Sequence, residues 1–128
     1  MIKTTSLIAG VLCAVFAIPT IAGSLSGDEI KSAFSGKTAS GDHLKKNMGV
    51  KSFHATDGSY KSILSDGTVR TGKWWVDGDN LCLRFDGEGK DRCRLIESDG
   101  GDGYKKIHPK KGKAVVHFKS LEDGDKTQ

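Results

Sequence analysis

Five groups of residues in this chain have types and spacings that could do chemistry. They are the pair Cys82 and Cys93, the arginines Arg92 and Arg94, the adjacent Trp74 and Trp75, a basic stretch from Lys105 to Lys113, and four histidines. A Cys-x10-Cys spacing, with no second cysteine pair and no histidine at finger spacing, makes a poor zinc site. A redox-active pair would sit closer together, near a helix N-terminus. In an exported chain an even pair of this kind reads as a structural disulfide.

The register of one hairpin carries that reading further. Asp86-Gly87-Glu88-Gly89 forms a four-residue loop closed by Phe85 and Lys90, and the two cysteines lie symmetrically about it. They then face each other on a non-hydrogen-bonded rung, where side chains approach most closely. The same register sets Arg92 opposite Leu83 and Arg94 opposite Leu81, and opposite residues share a face. Either both arginines point to the core side, where a guanidinium fork suits an anionic group, or they are solvated, because a bulge shifts the register or because their stems snorkel along the barrel end.

Trp74 and Trp75, adjacent on a strand, must point to opposite faces; one is core, and the other is a stacking or contact surface or a cover for the fold. Lys105, Lys106, His108, Lys110, Lys111 and Lys113 form the densest cationic stretch. Alternation spreads these charges over both faces of a hairpin, which reads as a solvated element or, through Lys110 and Lys111, as a contact for an anionic partner. With few interleaved aromatics, nucleic acid is not an expected partner.

His43, His54, His108 and His117 are scattered, without metal-ligand spacing. No Gly-x-Ser-x-Gly elbow and no phosphate loop occur. Nearly every Asp sits beside a Gly in a turn, so no acid–base pair can be named, and Asp99-Gly-Gly-Asp102-Gly matches a calcium loop only faintly. No catalytic, cofactor or metal residue is assigned.

The elements that position these residues are set by the rest of the chain. Residues 1–22 carry Lys3, an apolar run from Leu7 to Ile18, and small residues up to Ala22, the pattern of a cleaved signal peptide. The run is about 12 residues, short of the roughly 20 that cross a bilayer, so no integral membrane segment is expected after cleavage. Cys13 leaves with the leader. Removing Lys3 takes the 20 Lys+Arg against 16 Asp+Glu to 19 against 16, a net charge of +3. With 36% hydrophobic and 7% aromatic residues, the composition excludes a transmembrane bundle, a collagen-like repeat and a coiled coil.

Ser26-Gly-Asp-Glu29, followed by Ile30, Ala33 and Phe34 and closed by Gly36, predicts one short N-terminal helix over 28–34. Beyond the helix, Asp-Gly pairs at 57, 66, 77 and 86 punctuate the chain at the spacing of an antiparallel meander. Strands are expected near 37–41, 48–56, 59–64, 68–76, 80–86, 91–97, 103–108 and 113–119. Leu81, Leu83 and Phe85 alternate, as do Ala114, Val116 and Phe118, so each strand buries one side. The fold class is mainly β: a small antiparallel up-and-down β-barrel or sandwich of about eight short strands. Residues 23–119 form a single β-rich domain, and the polar segment 120–128 reads as a flexible C-terminal tail.

Leu25-Ser-Gly-Asp-Glu29-Ile30, Phe34-Ser-Gly36-Lys-Thr38, Asp66-Gly67-Thr68, Gly72-Lys-Trp74, Asp77-Gly-Asp79-Asn-Leu81-Cys82 and the second Cys93 together resemble a widespread family of small exported proteobacterial domains of unknown function. The resemblance covers about residues 25–108. It implies a periplasmic or secreted β-rich domain with one disulfide, and brings no functional residues with it. Gly72-Lys-Trp74 is also similar to the Gly-x-Trp of lipocalins and avidins. There it lies on the first strand, whereas here three strands precede it, so no ligand of those folds is implied.

The expectation is an exported, non-enzymatic binding module for a small ligand or an envelope or secreted protein. Its candidate binding residues are Trp74, Trp75, Arg92, Arg94, Lys110 and Lys111. The alternative is a secreted inhibitor or effector docking through the basic hairpin or an exposed Trp.

Overall fold

The structure is a computed structural model that describes residues 23–128; the proposed leader, its cleavage point and Cys13 lie outside the described residues. The chain starts into a helix where the sequence supplies a cap. Ser26 Oγ accepts a hydrogen bond from the Glu29 amide at 3.2 Å, and Glu29 Oε1 accepts from the Ser26 amide at 2.8 Å. This reciprocal box opens helix α1, Gly27–Phe34. Ile30 and Phe34, four residues apart, bury one stripe with no exposed surface. Gly36, at φ 76°, then turns the chain into the first strand.

Eight strands come next: β1 Lys37–His43, β2 Met48–His54, β3 Ser59–Leu64, β4 Val69–Asp77, β5 Asn80–Phe85, β6 Arg92–Ser98, β7 Tyr104–Ile107 and β8 Ala114–Asp123. Each pairs antiparallel with its successor. β8 returns to pair with β1, so the sheet is a closed up-and-down barrel and not a sandwich. The Asp-Gly signals mark turns as expected: Asp57 and Asp66 each accept a hydrogen bond from the amide two residues on, ahead of Gly58 and Gly67 at positive φ.

In an up-and-down barrel alternate hairpins share an end. The β1–β2, β3–β4, β5–β6 and β7–β8 connections therefore surround one mouth. Helix α1 covers the other end, where Phe34 lies 5.2 Å from the His54 ring, 5.5 Å from Tyr104 and 6.0 Å from Phe118. Burying such an aromatic side chain contributes about 1.5–3 kcal/mol. Two inward positions are glycine because the neighbouring strand is too close for anything larger. A Cβ on Gly41 would lie 1.9 Å from the His117 carbonyl oxygen, and one on Gly72 would lie 2.1 Å from that of Arg84.

The C-terminus departs from the expected tail. β8 continues to Asp123 instead of ending near 119, and the residues beyond it are fastened to β1. Thr38 Oγ1 donates to the Gly124 carbonyl at 2.6 Å and accepts from the Lys126 amide at 2.9 Å, while Thr127 is only 3% exposed. Local polarity suggested a frayed end; the buried Thr38 hydroxyl needs partners, and the C-terminal backbone supplies them. Among the described residues no helix is long and apolar enough to cross a membrane.

Candidate functional site

The β5–β6 ladder pairs Leu81 with Arg94, Cys82 with Cys93 and Leu83 with Arg92. The cysteine Cα atoms stand 4.0 Å apart with their Sγ atoms at disulfide distance. Leu81 and Leu83 face the core, so Arg92 and Arg94 are on inward positions and the disulfide lies on the outer face. No bulge interrupts this stretch, so both arginines start from inward positions, and the Arg92 side chain keeps 34% of its surface exposed, as a stem running along the barrel end would.

Arg92 does not enter alone. Arg70 shares the inward face of β4 with Trp74 and Val76, and its guanidinium sits 3.6 Å above the Phe85 ring. Glu88, from the β5–β6 loop, bridges the two arginines: one carboxylate oxygen meets Arg92 Nη2 at 3.1 Å and the other pairs with Arg70 Nη2. The hydrogen bond from Arg92, together with the charge of both guanidiniums, holds the Glu88 carboxyl below the usual carboxylate range. Arg92 Nε remains buried without a partner. Deeper in, Arg94 donates only to the Cys93 carbonyl, at 3.0 Å.

Lys106 completes the cluster. It pairs with Ile96 on one side and Val116 on the other, is 5% exposed, and places Nζ 5.8 Å from the Phe118 ring. Burial, then the charges of Arg94 and Arg92, push its ammonium down to about 7. Among the described residues it has no ion-pair partner. His43, inward at the same end of β1, is pushed below its ordinary value by burial and by Lys46 and Lys106. None of the inward positions of β1–β7 is an Asp or Glu.

Lys110 and Lys111 are exposed in the β7–β8 connection, where their amides each donate to His108 Nδ1 at 3.2 Å. With Lys45, Lys46, Lys90 and Lys113 they stand on the rim of the mouth that holds the interior cations. The tryptophans lie elsewhere. Trp74 is buried and donates from Nε1 to the Ala55 carbonyl at 2.8 Å, so it offers no surface for stacking. Trp75 is on the outer face opposite Cys82 and lines an open groove of about 480 Å³ beside α1. A second groove, about 350 Å³, runs between β1–β3 and the C-terminal residues. Neither groove is lined by the interior cations.

Two other features have structural duties. Asp99 Oδ1 accepts from the Gly101 and Gly103 amides, and Oδ2 lies 2.9 Å from His117 Nε2, so this carboxylate is spent on its own loop and on β8. His54 is fully buried among Phe34, Tyr60 and Trp74, at 5.2, 5.2 and 5.3 Å, with neither ring nitrogen hydrogen-bonded.

The sequence reading placed Arg92 and Arg94 but assigned no place in the mouth to Arg70, Glu88, His43 and Lys106. The parity of Arg70 with Trp74 was readable. That of Lys106 was hidden by the bulge between Lys106 and Ile107, which breaks the alternation of the basic stretch. The arrangement gathers positive charge inside a barrel whose wall, the imidazole of His54 apart, is otherwise mostly apolar or hydroxylic, which is chemistry for holding an anion. Comparison with protein-family models, curated proteins and solved structures returned no match for this chain.

Proposed function

We propose that this chain is an exported, non-enzymatic β-barrel module, periplasmic or secreted, that binds a small ligand at the mouth opposite α1. Membership of the family of exported proteobacterial domains belongs to the same proposal. One observation carries it: among the described residues, Lys106, 5% exposed, and the part-buried Arg94 take inward positions without an anionic partner. Burying an uncompensated charge costs stability, and a fold built for stability alone would have an apolar residue in place of Lys106. The disulfide on the outer wall supports export, because such bridges persist in oxidising compartments.

Native mass spectrometry of the protein exported to a periplasm from its full-length gene tests this. An added mass that disappears on denaturation supports the reading, as does a chain that begins near residue 23. A bare mass across varied growth conditions overturns ligand binding. It then favours docking on a protein partner, for which the exposed Lys110 and Lys111 and the groove beside Trp75 are the available surfaces. In that case charge reversal at Lys110 and Lys111 weakens the complex with a strong salt dependence.

A further inference from the structure

The two outer guanidiniums of the mouth already have an anion, and it belongs to the protein. Glu88 spans Arg70 and Arg92 with one oxygen for each, as a bound carboxylate would. Below it the register continues inward to Arg94 and Lys106, where, among the described residues, no carboxylate follows. The walls around this inner pair are Leu81, Ile96, Val116 and Phe118, all buried. The rim lysines at 45, 46, 90, 110, 111 and 113 raise the local concentration of anions at the entrance.

We infer that Arg94 and Lys106 form the receptor for the carboxylate of a small organic acid with an apolar body, and that the Glu88 loop is the cover above it. This rests on the binding-module reading and gives that site its ligand class. Three observations select the class. A guanidinium fork and an ammonium together match one planar carboxylate. An apolar wall makes stripping water from a phosphate dianion far costlier than from a monoanion. The layer immediately above is closed by a carboxylate, so this barrel is already seen to hold that group between its cations. Entry requires the Glu88 loop, residues 86–91, to swing aside, because Glu88 ties β4 to β6 across the mouth.

The test is titration calorimetry at low salt on the exported full-length gene product, with butyrate, hexanoate and inorganic phosphate as probes. The expected result is saturable binding of a carboxylate, tighter for hexanoate than for butyrate and at least tenfold tighter than for phosphate. Arg94→Gln and Lys106→Met each weaken it tenfold or more. Glu88→Gln strengthens it severalfold by freeing two guanidiniums, and Lys73→Gln, on the outer face of β4, leaves it unchanged. Removing an unpaired buried cation does not endanger the fold, and the melting temperature of Lys106→Met reports that directly. Absence of carboxylate binding, phosphate binding as tightly, or equal weakening by Lys73→Gln overturns the inference. A native spectrum of the Arg94→Gln variant separates this from the broader reading: a co-purified mass retained there means a ligand site elsewhere and overturns only the carboxylate receptor.

Discussion

Lys106 stands directly across the β6–β7 ladder from Ile96, a residue with no exposed surface, and this pairing turns its ammonium into the barrel. Arg92 and Arg94 of β6 face it, with His43 of β1 and His54 of β2 on the neighbouring inward positions. The folded chain therefore releases the Lys106 proton more readily than the unfolded chain does.

That difference sets a pH dependence. Below pH 7 Lys106 is protonated in folded and unfolded chains alike, and the cost of burying its charge is fully present. Between about 7 and 10.5 the unfolded chain keeps the proton that the folded chain has released, so stability rises with pH through that window. Lys106→Met is expected to raise stability at pH 6 by about 1–2 kcal/mol and to flatten the rise. Urea unfolding at pH 6 and pH 9 checks both.

His54 acts with the same sign in the acid range. Burial above all, with the charge of Lys106, pushes it down to about 3, so it stays neutral in the folded chain. Its contribution is complete above about 6.5 and is lost as pH falls towards 3, where the unfolded chain takes up a proton that the folded one refuses. In an NMR titration the His54 ring signals stay fixed down to pH 4, and His54→Met shallows the acid unfolding limb.

The disulfide closes a short loop, with its cysteines 11 residues apart. Cys82→Ala is expected to cost about 2–3 kcal/mol. A thermal melt with and without reductant gives the same difference for the parent chain and none for the variant.

Deleting residues 124–128 takes both hydrogen-bond partners from the Thr38 hydroxyl and uncovers it. A loss of about 1–3 kcal/mol is expected. An unchanged unfolding midpoint for the truncated chain would show that these contacts contribute nothing.

The sequence carried the local parts of this fold well. Ser26 and Glu29 announced the helix, the Asp-Gly pairs placed the strands, and the loop around Glu88 set the register that joins Cys82 to Cys93 and turns Arg92 inward. The information it withheld was long-range. Nothing near residues 37–43 or 114–123 says that β1 and β8 meet, so barrel and sandwich stayed equivalent until the ladder between them was seen. The choice between Trp74 and Trp75 had the same origin: each shares a face with one valine, and only the closure of the sheet decides which side is inside. Lys106 escaped notice because a lysine in a run of lysines carries no local mark of burial, and Thr38 gave no sign that the C-terminal backbone would satisfy it.

The ladder between β1 and β8 also bears on when the molecule can become itself. Its two halves, Lys37–His43 and Ala114–Asp123, are separated by the six other strands. No N-terminal fragment can complete the circle, however long it waits. A ribosome delivers β1 well before β8, so the closing piece arrives after the other seven strands. The sheet stays open at both margins until then, and the mouth with its ring of lysines exists only once β8 has paired with β1.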